Sequence, residues 1–131
     1  PKIENYGLYY YLYDGSPKVG VAFETTLISL TKGALTSTKS HLDKSVIIEA
    51  SDSCDIFIFN TIDKTQDWTG SLVTSTFTCD NANSYLICID GAPKVNSTTM
   101  QKFDYSKLTS GKEYTVTLNG GVLGLFTKLI V

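Results

Sequence analysis

The chain has 131 residues, enough for one domain with a full hydrophobic core. Hydrophobic residues make up 42% and charged residues 18%, which indicates a globular rather than a disordered protein. The net charge is −2 and all 11 basic residues are lysines, so the basic, arginine-bearing surface typical of nucleic-acid binding is missing. No apolar run approaches about 18 residues, and we therefore expect no membrane span.

A six-residue segment occurs twice. Residues 14–19 (DGSPKV) return as residues 90–95 (DGAPKV), 76 positions later. Asp-Gly is the preferred pair of a type I′ turn, so each copy is predicted to turn a β-hairpin. Because proline cannot donate a ladder hydrogen bond, Pro17 and Pro93 predict that each returning strand lies at a sheet edge. The repeat has two interpretations, namely an edge hairpin used twice or a duplication into two similar halves.

Alternation of apolar and polar residues dominates the chain, and helical periodicity is weak. The predicted strands, separated by Gly, Pro, Asn and Asp, cover residues 7–14, 18–24, 26–31, 44–50, 55–60, 71–79, 84–90, 94–96, 99–105, 113–119 and 122–131. Only residues 34–44 suit a short helical turn. The pattern predicts one all-β domain over residues 1–131, an antiparallel β-sandwich of immunoglobulin-like type, with a jelly roll or barrel as the alternative.

The first predicted strand has two different faces. Leu8 and Leu12 lie on one face, the expected core side, and Tyr9, Tyr11 and Tyr13 lie on the other. An exposed tyrosine stripe would be a contact surface for a sugar or another subunit, since tyrosine offers apolar area with a polar tip. The alternative is a strand buried on both faces, or one covered by a loop.

Trp68 is the single tryptophan and lies in a polar stretch, TQDWTG. In a loop it would be a sugar-stacking platform or an interface anchor. Alternatively, it caps one end of the core. With Tyr9, Tyr11 and Tyr13 it forms the predicted interaction surface.

Residues 108–118 carry Leu108, then Gly111, then Tyr114 at the start of an alternating strand. This order resembles the tyrosine corner of fibronectin type III and other immunoglobulin-like sandwiches. The resemblance implies that the Tyr114 hydroxyl bonds back to the backbone across the corner, with Leu108 packed beneath it. The chain has Ser110 where the family usually has proline.

Residues of catalytic type are few and form no known motif. His41 is the single histidine, and its sequence neighbours do not make a triad, because adjacent side chains on a strand point to opposite faces. Cys54, Cys79 and Cys88 are odd in number and irregularly spaced, so we expect small apolar residues rather than disulfides or a zinc site. The turn Asp and Asn residues follow no calcium-loop spacing. We expect no metal, no cofactor and no enzymatic activity.

Three classes of function remain, and the third, an enzyme, has no motif in its support. The first is a non-enzymatic structural or assembly protein that binds other protein subunits. The small, Ser/Thr-rich, all-β chain resembles phage virion proteins of the capsid decoration, cement or tail type, which implies a virion location after synthesis in the host cytoplasm. The apolar segment 122–131 favours this class, because a strand apolar on both faces is central or covered by a partner.

The second class is a carbohydrate- or cell-surface-binding module that uses Tyr9, Tyr11, Tyr13 and Trp68. It would imply a secreted or cell-surface protein from which a signal peptide had been removed. Residues 1–5 lack the apolar core of a signal peptide, so we expect a protein that is not secreted.

Overall fold

A computed structural model of the chain describes residues 5–21, 26–41, 46–60 and 67–129. The regular structure in these ranges is β-strand throughout, which confirms the predicted all-β class. The strands are β1 (Asn5–Asp14), β2 (Lys18–Val21), β3 (Ile28–Ser29), β4 (Leu35–His41), β5 (Val46–Glu49), β6 (Asp55–Asn60), β7 (Asp67–Val73), β8 (Phe77–Thr78), β9 (Ser84–Asp90), β10 (Lys94–Val95), β11 (Thr98–Thr99), β12 (Tyr105–Lys107), β13 (Glu113–Tyr114), β14 (Val116–Thr117) and β15 (Val122–Leu129). Within the described ranges there is no helix with the length and apolarity needed to cross a membrane.

The chain divides into two compact units. The first unit is Pro1–Asp67 with Ile130–Val131, and the second unit is Trp68–Leu129. The first unit contains two antiparallel sheets, ordered β4-β1-β6 and β3-β2-β5. The second contains sheets ordered β12-β9-β15-β7 and β11-β10-β14, and a two-stranded sheet β13-β8. The expectation that residues 1–131 form one domain stays a prediction.

The two units repeat one topology. In the first unit, β1 pairs with β4 and β6, and β2 pairs with β3 and β5. In the second unit, β9 pairs with β12 and β15, and β10 pairs with β11 and β14, which is the same scheme. Apart from the paired strands β2–β3 and β10–β11, successive strands of this scheme lie in different sheets, as in the central strands of a jelly roll. The immunoglobulin-like order differs, because its first two strands are neighbours in one sheet. The strand order follows the jelly-roll alternative.

The repeat extends to register and turn hydrogen bonds. The Leu30 backbone N–H donates to the Pro17 carbonyl at 3.1 Å, and the Met100 N–H donates to the Pro93 carbonyl at 2.8 Å. The pairing of β1 with β6 and of β9 with β15 is interrupted by a register shift just before the Asp-Gly pair in each unit. These matches support the interpretation that the repeated segment marks a duplication.

The repeated segment is not a hairpin, and that prediction is wrong. β1 and β2 belong to different sheets, as do β9 and β10, so each copy carries the chain from one sheet to the other. Gly15 (φ 101°) and Gly91 (φ 72°) have positive φ, but the preceding aspartates do not, which excludes a type I′ turn. Pro17 and Pro93 are fully buried and precede the central strands of their sheets rather than edge strands. Asp-Gly marks a reversal, but the tertiary fold decides the partner of the next strand.

β4 is a further difference from the sequence prediction, which placed a short helical turn in residues 34–44 and no strand there. Its sequence, LTSTKSH, has no apolar alternation, so periodicity gives no strand signal. Pairing with β1 over seven consecutive residue pairs, from Asn5 with His41 to Tyr11 with Leu35, makes it a strand.

Each unit encloses its own hydrophobic core. In the first unit, Leu8 and Leu12 are buried as predicted, and the buried cluster is Leu8, Tyr10, Leu12, Val19 and Leu30. In the second unit the buried cluster is Val73, Cys79, Leu86, Cys88, Met100, Leu108, Tyr114 and Leu123. Both sheets of the first unit contribute to its cluster. In the second unit, Val95 and Val116 of the sheet β11-β10-β14 are partly buried and pack against the cluster, as expected for sheets packed around one core.

The tyrosine corner implied by the sequence is present in the second unit. The Tyr114 hydroxyl accepts a hydrogen bond from the Thr109 backbone N–H at 2.8 Å. Leu108 lies in the core next to it, and the Tyr114 ring stacks on Phe77 with centroids 5.6 Å apart. The local resemblance therefore holds, although the strand order is not the immunoglobulin-like one.

Candidate functional site

The predicted tyrosine stripe does not form an exposed surface. Tyr9 is 2% and Tyr11 is 7% exposed, so the prediction is wrong for both residues. β1 is the central strand of its sheet, and aromatic side chains pack on the stripe: Tyr9 stacks on Phe59 at 5.3 Å, and Tyr11 meets Tyr13 edge-on at 5.1 Å. Tyr13 is half-buried. The structure has the alternative arrangement, a strand buried on both faces.

Trp68 lies on β7 of the second unit and is half-buried. Its ring centroid is 5.9 Å from that of Tyr85, at a tilt of 37°. It is therefore part of a strand rather than of a connecting loop. A contact role for Trp68 stays a prediction.

The candidate site is an open cleft of about 500 Å³ in the second unit. It lies between β11 and β12, which are edge strands of the two larger sheets of this unit. Residues 100–104 connect these two strands. The residues that line it are Leu86, Val95, Asn96, Thr98, Thr99, Met100, Phe103, Asp104, Tyr105, Ser106, Leu108, Lys112 and Tyr114. Concave sites of this size, apolar inside with a few polar groups, are typical of small-molecule binding.

The floor of the cleft is the core of the second unit. Leu86, Met100, Leu108 and Tyr114 line the cleft and are at most 7% exposed. All four belong to the same buried cluster. Because close-packed side chains hold fixed rotamers, this floor is rigid and already formed in the free protein.

Two exposed aromatic side chains lie at the rim of the cleft. Phe103 is 51% and Tyr105 is 75% exposed, and both line the cleft. Tyr105 is on the edge strand β12, where it pairs with Ile87 of β9. Phe103 lies in the connection before β12, with the Lys102 Nζ 5.3 Å from its ring centroid. The rim thus presents apolar rings to solvent beside polar groups.

The polar groups of the rim are held by local hydrogen bonds. The Asn96 Oδ1 accepts from the Thr115 backbone N–H at 2.8 Å, which holds the amide at the tip of the β10–β11 turn. The Asp104 Oδ2 accepts from the Gln101 backbone N–H at 2.9 Å. Lys112 reaches over the Tyr114 ring, with its Nζ 5.4 Å from the centroid.

Few ionisable side chains line the cleft, namely Asp104, Lys112 and the two tyrosines. Asp104 is the one carboxylate among the lining residues, whereas glycoside hydrolysis ordinarily needs two. The lining contains neither histidine nor cysteine. Across the described ranges, no three His, Cys, Asp or Glu residues lie close enough together to hold a metal ion.

The cysteines are structural in the part of the chain that is described. Cys79 and Cys88 are buried, Cys54 is half-buried, and all three are free thiols, as the sequence predicted. Burial raises the pKa of the Cys88 thiol, although hydrogen bonding to the Asp90 carbonyl acts in the opposite direction. Cys88 therefore stays a protonated, unreactive side chain at neutral pH.

The sequence prediction missed Phe103 and Tyr105. Both fall inside the predicted strand 99–105, where an aromatic residue is interpreted as core. Their nearness to Lys102 and Asp104 was the available signal, since charged neighbours indicate a solvent-exposed segment. Only the break between β11 and β12 turns these two rings toward solvent.

No protein-family model and no curated protein sequence matches the chain. Among solved structures, the protein YhaK from Escherichia coli is similar to it, with a TM-score of 0.46 and 11% sequence identity. The match covers 100% of this chain and 77% of the YhaK chain. A likeness this distant identifies neither a function nor a site.

Proposed function

We propose that the protein is a non-enzymatic carbohydrate-binding module and that the cleft of the second unit is its binding site. The observation that carries the proposal is the pair of exposed rings, Phe103 and Tyr105, at the rim of an apolar-floored cleft. A pyranose has an apolar C–H face that packs on an aromatic ring and hydroxyls that need hydrogen-bonding partners. Amide, hydroxyl and carboxylate groups line the same cleft.

The charge of the lining favours a neutral ligand. Asp104 and Lys112 are the two charged residues that line the cleft, and their charges cancel. A phosphorylated or sulfated ligand would need several cationic partners, and a cationic ligand would need an acidic or aromatic cage. Hydroxyl-rich neutral sugars need neither.

The proposal of binding without catalysis rests on the same lining. A cleft with one carboxylate has no second group to activate water or to form a glycosyl intermediate. Cys88 belongs to the same buried cluster as the residues of the cleft floor, and burial raises the pKa of its thiol, so the protonated thiol is a poor nucleophile.

The test is a glycan microarray with the whole chain, followed by calorimetric titration of the best neutral glycan. Tyr105→Ala removes a side chain that is 75% exposed, so the fold should persist while affinity falls about tenfold. Ile48→Ala, at an exposed apolar residue of the first unit, is the matched control and should bind as the wild type does. Absence of glycan binding by the wild type, or equal binding by Tyr105→Ala, would contradict the proposal.

A second candidate function is assembly with other protein subunits, for example as a virion decoration or cement protein. The supporting observation is a pair of exposed apolar residues on the sheet β3-β2-β5, Ile28 and Ile48, which are 41% and 46% exposed. Ile28 and Ile48 are both cross-strand neighbours of Val19. Adjacent exposed apolar residues of this kind are typical of protein contact sites.

Oligomeric state tests the second candidate. Light scattering coupled to size exclusion should give a stable multimer, and Ile48→Lys should dissociate it, if assembly is the function. A monomer that does not associate with virus particles would count against it. A gene neighbourhood encoding a major capsid protein or a portal would support it.

A further inference from the structure

The connection that forms one side of the cleft has a counterpart in the first unit. Between β3 and β4, the Gly33 N–H donates to the Leu12 carbonyl at 2.9 Å. Between β11 and β12, the Phe103 N–H donates to the Cys88 carbonyl at 2.7 Å. The two connections join equivalent strands, β3 to β4 and β11 to β12, and bond back to the equivalent strands β1 and β9. Phe103 therefore occupies the position that Gly33 occupies in the first unit.

The backbone conformation at this position favours glycine. Gly33 has a φ of 79° and Phe103 has a φ of 74°. Glycine enters this left-handed region without steric penalty, whereas a bulky L-residue is strained there. The two units thus have the same turn, and the second unit carries the residue that strains it.

The space around the turn does not require an aromatic ring. A Cβ added at Gly33 would meet no atom within 4 Å, so the turn itself is open on that side. The Phe103 ring is 51% exposed and lines the cleft. Strained backbone positions cluster at ligand-contact sites, where the surrounding fold holds them in place.

We infer that Phe103 is a ligand-contact residue of the cleft, a platform for the C–H face of a pyranose ring, retained at the expense of fold stability. The inference rests on the proposed carbohydrate-binding function and assigns the side chain that determines which sugar face is taken. A sugar with a continuous apolar C–H face packs on the ring, while one with an axial hydroxyl on that face does not. The Asp104 carboxylate, next in sequence, supplies a hydrogen-bond acceptor for the sugar hydroxyls.

The test is Phe103→Gly in the whole chain, measured by thermal unfolding and by titration with the glycan that the wild type binds. Removal of the strain should raise Tm by about 2–4 °C, and removal of the ring should weaken binding about tenfold. Phe103→Leu keeps the strain and loses the ring, so it should bind weakly without the gain in Tm. Gly33→Ala in the first unit is the matched control, with a lower Tm and unchanged affinity.

Each outcome decides one point. If the wild type binds a glycan and Phe103→Gly binds it equally well, the inference is overturned while the proposed function stands. If Phe103→Gly lowers Tm, Phe103 stabilises the turn and the strain argument fails. If the wild type binds no glycan, the proposed function fails and this inference fails with it.

Discussion

Replacement of Tyr114 by phenylalanine isolates one hydrogen bond that organises the second unit. The Tyr114 hydroxyl accepts from the Thr109 backbone N–H at 2.8 Å. The ring is 7% exposed and stacks on Phe77 with centroids 5.6 Å apart. Phenylalanine keeps the ring and its packing, so Tyr114→Phe removes the oxygen and little else.

The magnitude follows from that single bond. A net hydrogen bond contributes about 1 kcal/mol, and a buried donor left without an acceptor adds about 1–3 kcal/mol. Thr109 is an exposed residue and the hydrogen bond is only partly buried, so we expect water to replace the lost acceptor and the second contribution to stay small. We expect a loss of about 1–1.5 kcal/mol in the free energy of unfolding, which lowers Tm by about 4 °C.

The assay is thermal unfolding followed by circular dichroism, with Tyr105→Phe as the control. Tyr105 is 75% exposed, so loss of its hydroxyl should leave Tm within about 1 °C of the wild type. If Tyr114→Phe is as stable as Tyr105→Phe, the corner does not stabilise the fold and the reasoning is refuted.

The remaining predictions concern the repeat and the buried thiol. Gly15→Ala and Gly91→Ala should each lower stability by about 2–3 kcal/mol in chemical denaturation, because the new Cβ would lie 2.7 Å from the Cys54 Cβ or the Gly121 Cα at a positive φ. If one of the two substitutions leaves the free energy of unfolding unchanged, the two turns are not equivalent. Burial raises the pKa of the Cys88 thiol, so its contribution to stability is present below the unfolded pKa of about 8.5 and lost as pH rises through the folded pKa. The Tm of the wild type should thus fall relative to Cys88→Ala above about pH 8.5, and parallel Tm profiles would contradict this.

The strands were largely predictable because most are amphipathic or apolar. The predicted strands 55–60 and 84–90 coincide with β6 and β9. The tyrosine corner was predictable as well, since Leu108 and Tyr114 belong to one local motif. β4 was not, because its polar sequence becomes a strand only by pairing with β1. Local periodicity reports burial pattern and carries no signal where a strand is polar on both faces.

The arrangement of the strands was less accessible than the strands themselves. The repeated Asp-Gly segment indicated two chain reversals, and two reversals occur. Whether the next strand pairs with the previous one or crosses to the facing sheet depends on contacts distant in sequence. Pro17 and Pro93 are compatible with central strands because each lies one residue before the first paired residue of its strand. A proline one position later would remove a hydrogen bond from the sheet.

Two of the aromatic residues in the predicted interaction surface, Tyr9 and Tyr11, are buried. Tyr9 and Tyr11 alternate with Leu8, Tyr10 and Leu12, which indicates two faces but not which of them is solvated. Their strand is central in its sheet, and the rings of Phe59 and Tyr13 contact the face that carries them. Phe103 and Tyr105 have the same spacing, but they flank the start of an edge strand and stay exposed. Position in the sheet, which sequence alone does not report, separates the two pairs.

Chemical-shift mapping by NMR is the most direct test of the proposal that the cleft binds carbohydrate. A ¹⁵N-labelled sample of the whole chain would be titrated with the neutral glycan that the array selects. We predict saturable shifts of the Asn96, Phe103, Asp104 and Tyr105 amides, and unchanged amides at Gly33 and Ala34 in the matching turn of the first unit. Shifts confined to the first unit, or none at any glycan concentration, would contradict the account.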